Sequence, residues 1–347
     1  MNLNLVKAVA VVILLIPLVF SNALADGKKI IVGMATDVNG LGDGSFNDGV
    51  YAGLKKAENE GIIEIRLIEP KAMSDYVPNL SGLAEDGASL VFAVGFLMAE
   101  AVVEAAKYNP ETMYAGIDLW FDPAKTPKNL LGITWREQES GYLAGIVAGL
   151  MTKKYADRSE KLNDKNMVGI VMGMDVPPVE RYQVGFWAGA KSVNPGCKVK
   201  SIVTGTFADP AKGKEATLAL AEQGADIVLQ IAGLTGMGGI DAAKESGILV
   251  IGGDVDQNRF APNHVLTSAM KGVTQASYLT TKAFWAGKFQ GGTNRIFGIA
   301  EGAIDLAPYH AFDSIVPQEV KDAVARARQE IASGKLKVPS SRAQAGF

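Results

Sequence analysis

With 347 residues, 48% of them hydrophobic and 20% charged, the chain can bury a large core and is too apolar to be disordered. Thirty-four basic against 37 acidic side chains give a net charge of −3 without a long basic run, which disfavours nucleic acid as a partner. A lone Cys197 excludes an internal disulfide and reads as a buried thiol, and two histidines without clustered cysteines disfavour a zinc site.

In chain order, Lys7, the apolar run Ala8 to Phe20 and the small-x-small triplet Ala23-Leu24-Ala25 before Asp26 read as a signal peptide over residues 1–25. The run is too short for a spanning helix and carries Pro17. No later segment reaches spanning length, and no cysteine follows the cleavage site. The expectation is a soluble periplasmic protein without a lipid anchor.

Short β-branched runs then alternate with longer segments of helical period, the pattern of βαβ units and parallel sheets. Strands are predicted at Ile30–Ala35, Ile63–Ile68, Ser89–Val94, Met113–Ile117 and Leu131–Thr134. A second series follows at Met167–Met172, Val199–Thr204, Asp226–Ile231, Leu249–Ile251, Leu266–Ala269 and Ile296–Ala300. Helical candidates between them include Asn47–Asn59, Ala99–Tyr108, Gln138–Tyr155, Glu180–Val193, Lys212–Glu222, Thr274–Ala286 and Gln318–Ser333. The count suits two doubly wound sheets. Crossings expected at Ile133–Arg136, at Gly252–Asp254 and near Asn294 would form a three-segment hinge. They divide the chain into a first lobe of residues 26–135 plus 255–293 and a second of 136–254 plus 294–347.

Ligands of open α/β sheets bind beyond the carboxyl ends of the strands, so the residues after each strand carry the functional signal. After the first strand comes the irregular loop Asp37 to Asn47, rich in turn formers, with Ser45 as a candidate helix cap and Phe46 at a helix start beside polar groups. Other strand ends carry Asp118 with Trp120, then Ala232-Gly233 to Gly239, then Asp254, then Lys271. The recurrence of Asp37, Asp118 and Asp254 points to a ligand that donates hydrogen bonds, because buried carboxylates need partners. The Gly233–Gly239 stretch lacks the Gly-Lys-Ser/Thr ending of a phosphate loop, and no Gly-x-Ser-x-Gly elbow is present. A binding protein is favoured over an enzyme, with no catalytic residue, metal or cofactor assigned.

The segment ending Ser45-Phe46-Asn47 resembles the N-terminal ligand loop of the basic membrane protein family of ABC-transporter substrate-binding proteins. Similar matches run along the chain at Gly141-Tyr142-Leu143-Ala144-Gly145, Gly185–Ala190, Phe207–Gly213, Gly224-Ala225-Asp226, Ala232–Gly239 and Asp254-Val255-Asp256-Gln257. The resemblance implies a hinged type I periplasmic-binding fold that closes on a purine nucleoside or base. It implies that Phe46 stacks on the base, Asp37 and Asn47 bond around it, Asp254 meets ribose hydroxyls, and Lys271, Asp118 and Gly233 line the cleft. In nucleoside-binding relatives a second aromatic stands where this chain reads Gln230-Ile231. Ile231 or Trp120 is expected to close the sandwich here. The implied partners are the small-molecule ligand and an inner-membrane permease, with the chain acting as a monomer. A flavin-type heterocycle, a signalling role and nucleoside cleavage are the alternatives.

Overall fold

A computed structural model of the chain describes residues 29–346. The expected signal peptide lies outside them. The chain runs β1 (Ile30–Ala35), α1 (Phe46–Asn59), β2 (Ile63–Ile68), α2 (Tyr76–Glu85), β3 (Leu90–Val94), α3 (Ala99–Tyr108), β4 (Met113–Ile117) and β5 (Leu130–Trp135). It continues through α4 (Glu137–Met151), β6 (Met167–Met172), α5 (Pro177–Val193), β7 (Lys198–Val203), α6 (Pro210–Glu222), β8 (Ile227–Ile231) and α7 (Leu234–Ser246). The remainder is β9 (Leu249–Asp254), β10 (Val265–Lys271), α8 (Val273–Trp285), β11 (Thr293–Phe297), β12 (Ile304–Leu306), α9 (Gln318–Ala332) and α10 (Arg342–Ala345).

Two six-stranded sheets result, in the orders β11-β5-β4-β3-β1-β2 and β12-β10-β9-β8-β6-β7. All pairings are parallel except the short β10–β12 pair. The central strands β3, β5, β6 and β8 are buried at every residue, as parallel strands covered by helices on both faces must be.

The sheets divide the chain differently from the expected lobes. β10 pairs in parallel with β9, with one register shift between Val265 and Thr267, and so belongs to the second sheet, which moves the middle crossing from Gly252–Asp254 to Lys271–Gly272. β11 pairs with β5 in the first sheet, so the last crossing falls at Phe297–Gly298. α8 and β11 return to the first lobe between these points, and α8 is fastened to α1 by Thr274 Oγ1 and Ser277 Oγ donating to the carbonyls of Gly49 (2.8 Å) and Val50 (3.0 Å). The first crossing lies at Trp135–Arg136, inside the expected segment. There Trp135 and Phe297 stack at 5.9 Å, the Arg136 amide donates to the Phe297 carbonyl (2.8 Å), and the Ile299 amide donates to Glu139 Oε2 (2.6 Å). The outgoing and returning strands are thus tied together where they change lobes.

The glycine-rich motifs are packing devices. A methyl group on Gly145 or Gly189 would collide with the carbonyl oxygen of Phe186 or Tyr142, so α4 and α5 cross at backbone contact. Gly213 and Gly238 do the same for α6 and α7, which puts most of the Gly233–Gly239 stretch inside a helix. Cys197 is fully buried before β7, and burial pushes its thiol up to about 11. Among the described residues no helix is long and apolar enough to cross a membrane.

Candidate ligand-binding site

The loop after β1 is organised by carboxylates. Asp43, fully buried, accepts from the backbone amides of Ser45 (3.0 Å), Asn47 (2.8 Å) and Asp48 (3.2 Å) and so caps α1. Burial outweighs these bonds and pushes its carboxyl up to about 6. Ser45, the expected cap, makes no capping bond; its hydroxyl donates instead to Asp254 Oδ2 (2.9 Å) and the Gly253 carbonyl (3.3 Å) of the other lobe. Asn47 is fully buried and donates to Asp37 Oδ1 (2.9 Å) and Asp43 Oδ2 (3.2 Å). Asp37 also accepts from the amide (2.9 Å) and side chain (3.2 Å) of Asn39, and burial raises its pKa.

A buried charge cluster sits where the two lobes meet. Lys271, at the end of β10, places Nζ 2.5 Å from Asp118 Oδ1 and 2.9 Å from Glu137 Oε1. Glu137 Oε2 lies 2.5 Å from Arg181 Nε. The Lys271 ammonium is also 5.2 Å from the centre of the Phe46 ring and 5.0 Å from that of Trp135. Burial would lower the Lys271 pKa, but Asp118, Glu137 and Asp254 together hold it above the ordinary lysine value. Burial pushes the Asp118 carboxyl up to about 6 despite Lys271, whereas Lys271 and Arg181 overcome burial at Glu137 and hold it low. Asp254 is raised by burial and accepts from the Tyr182 hydroxyl (3.2 Å) as well as Ser45. Asp118 and Asp254 both have left-handed backbone (φ 66° and 65°), a conformation aspartate tolerates better than most residues and one that concentrates at functional sites.

These groups line a cleft between the lobes that encloses about 610 Å³ of empty space, its open mouth included. Of the sequence-predicted residues, Asp37, Phe46, Asp118, Ile231, Gly233, Asp254 and Lys271 line it. Asn47 stands one layer behind, holding Asp37. Trp120 is 59% exposed and does not line the cleft, whereas its neighbour Leu119 turns into the core. The second lobe's aromatic is Phe207, from the β7–α6 loop, with Tyr182 from α5. Its ring occupies the space over Gly173, where any Cβ would collide with it. Gln230, at the position where the resemblance implies an aromatic, turns away beneath α7 and donates to Thr217 Oγ1 (2.9 Å). Phe96, Leu97 and Val179 complete the apolar walls. Phe207 follows a predicted strand end, so the same strand-end rule applied there would have found it; Glu137 and Arg181 lie in helices and carried no such signal. Among the described residues no cluster of His, Cys, Asp and Glu could hold a metal ion.

Comparison with known proteins places this geometry. The model of the family described as ABC transporter substrate-binding protein PnrA-like matches residues 30–342. The chain is 33% identical over 336 residues to the ABC transporter nucleoside-binding protein BmpA of Lactococcus lactis subsp. cremoris, covering 91% of this chain and 90% of that one. It is 31% identical over 303 residues to basic membrane protein A of Borreliella burgdorferi, covering 86% and 85%. A crystal structure of an ABC transporter solute-binding protein from Aeropyrum pernix superposes with a TM-score of 0.82 at 26% identity, covering 91% of this chain and 95% of the other. The two parallel-sheet lobes have the type I periplasmic-binding fold. The chain therefore belongs to the PnrA-like, or basic membrane protein, family of ABC transporter substrate-binding proteins.

Proposed function

We propose that the cleft captures a purine nucleoside or purine base outside the cytoplasmic membrane and that the closed, monomeric protein delivers it to an ABC permease. The observation that carries this reading is the composition of the cleft: aromatic rings from both lobes, Phe46 and Phe207, with Asp37, Asp118 and Asp254 at its edges. A flat heterocycle satisfies the rings, at about 1–3 kcal/mol per stacked base, and its N–H and hydroxyl donors satisfy the carboxylates. Lys271 is the single cation among the described lining residues and already faces Asp118 and Glu137, so nothing is left to neutralise a phosphate. An unphosphorylated ligand fits; a nucleotide does not. The naming of the Lactococcus lactis relative as nucleoside-binding supports the same class.

Closure follows from ligand contacts to both lobes, available together only in the closed form. No covalent step is needed. The test is titration calorimetry of the purified protein with guanosine, adenosine, inosine, the free purine bases, riboflavin and guanosine monophosphate. Dissociation constants near about 1 µM, equivalent to about −8 kcal/mol, are expected for at least one nucleoside or base, with the monophosphate far weaker. Null heats for every purine compound overturn the reading, and heat with riboflavin alone replaces it with a flavin receptor.

A further inference from the structure

Glu137 is fully buried, does not line the cleft and plays no part in the binding scheme above, yet both its oxygens face cations. It opens α4 immediately after the first crossing, on a helix locked to α5 by backbone contact. Its place is therefore fixed by the second lobe and not by a loop. Lys271 is the opposite case, a compact charge on a flexible four-carbon stem. Asp118, 2.5 Å from its ammonium, belongs to the first lobe, so that pair runs between the lobes. Asp254, the other carboxylate near Lys271 in its own lobe, accepts from the Tyr182 hydroxyl of that lobe and from Ser45 of the first, and it makes no ion pair with the ammonium. Glu137, 2.9 Å away, is the second-lobe carboxylate in ion-pair contact with the ammonium, and Arg181, 2.5 Å from Glu137 on α5, is what holds it. A buried carboxylate is retained at this depth only with such partners.

We propose that Glu137 is a positioning residue for the cleft: anchored by Arg181, it keeps the Lys271 ammonium at the point where Asp118 and the Phe46 ring meet it as the lobes close. The proposal rests on the reading of the cleft as the ligand site.

Glu137→Gln keeps the shape and removes the charge. With guanosine as the probe, its affinity is expected to fall about tenfold at unchanged circular dichroism, within the range of couplings between contacting residues. In a Lys271→Met background the same substitution changes affinity by less than about twofold, because there is no ammonium to place. Equal losses in both backgrounds, or no loss in either, overturn the proposal. Where Glu137→Gln does not fold, the partly exposed Arg181 is replaced by Gln and carried through the same cycle, with the same outcomes deciding. A second readout needs no ligand. The heteronuclear NMR signal of the Lys271 ammonium should be protected from exchange in the wild-type protein and lost in Glu137→Gln. A signal missing in the first or unchanged in the second overturns the positioning role. If that signal behaves as expected but no nucleoside binds, only the ligand reading fails.

Discussion

Replacing Phe46 by alanine tests the cleft most directly. The ring lines the cleft from the first turn of α1, while the bonds that build its loop run through Asp43, Asn47 and backbone amides and leave the ring's atoms unused. Trimming it should therefore spare the loop. The Lys271 ammonium of the second lobe, 5.2 Å from the ring centre, loses its contact with the ring in the same variant. Loss of stacking on a base, about 1–3 kcal/mol, by itself weakens binding by about 5- to 150-fold. Calorimetric titration of guanosine into wild type and variant at neutral pH measures it, with circular dichroism to verify the fold. Trp120→Ala serves as the control: the side chain is 59% exposed and outside the cleft, so affinity should stay within about twofold. Wild-type affinity in Phe46→Ala, or a larger loss in Trp120→Ala, would refute the assignment of the stacking ring.

Ser45→Ala removes a hydroxyl donated across the lobes to the buried Asp254 carboxylate at 2.9 Å, an interaction of about 1.5–3 kcal/mol. The ligand-free protein should become more open by small-angle scattering and bind more weakly, since less of it is competent; an unchanged scattering envelope counts against that bond as a link between lobes. A third expectation concerns pH. Burial pushes the carboxyls of Asp43, Asp118 and Asp226 up to about 6, against about 4 in an unfolded chain. Between those values the folded protein binds more protons than the unfolded one, so stability falls as pH rises through that window and levels off above it. The melting temperature should be higher at about pH 5 than at about pH 7.5, and a rise across the interval contradicts the burial argument.

The alternation of apolar runs and helical segments made both sheets legible in the sequence, because parallel strands covered on two faces leave uninterrupted stretches such as Leu90–Val94 and Met167–Met172. What it could not convey is which sheet a strand joins. Neither β10 nor β11 carries a local signal for its sheet, and pairing with β9 or β5 is decided by tertiary packing far along the chain. The strand-end rule brought Asp37, Phe46, Asp118, Gly233, Asp254 and Lys271 to one cleft because it follows from sheet geometry. It misplaced Trp120, since the direction of a side chain two residues past the left-handed Asp118 is not set by the strand. It assigned the cap of α1 to Ser45 because sequence does not distinguish polar side chains two residues apart, Asp43 and Ser45, when one is recruited across the lobes. Glu137 and Arg181 were invisible for a different reason: a charged residue in the first turns of a helix is ordinarily solvated, and only the crossing of α4 and α5 brings the half-buried Arg181 onto the buried Glu137.

The seclusion of Cys197 has a practical side. As the chain's single thiol, protonated at neutral pH and shut away from solvent, it should be passed over by alkylating reagents. Cysteines introduced on the outer surfaces of the two lobes, at exposed Trp120 and Val203 for instance, would then be the only groups to take up a dye. Fluorophores attached there would turn the hinge into an optical reporter of whatever the cleft retains.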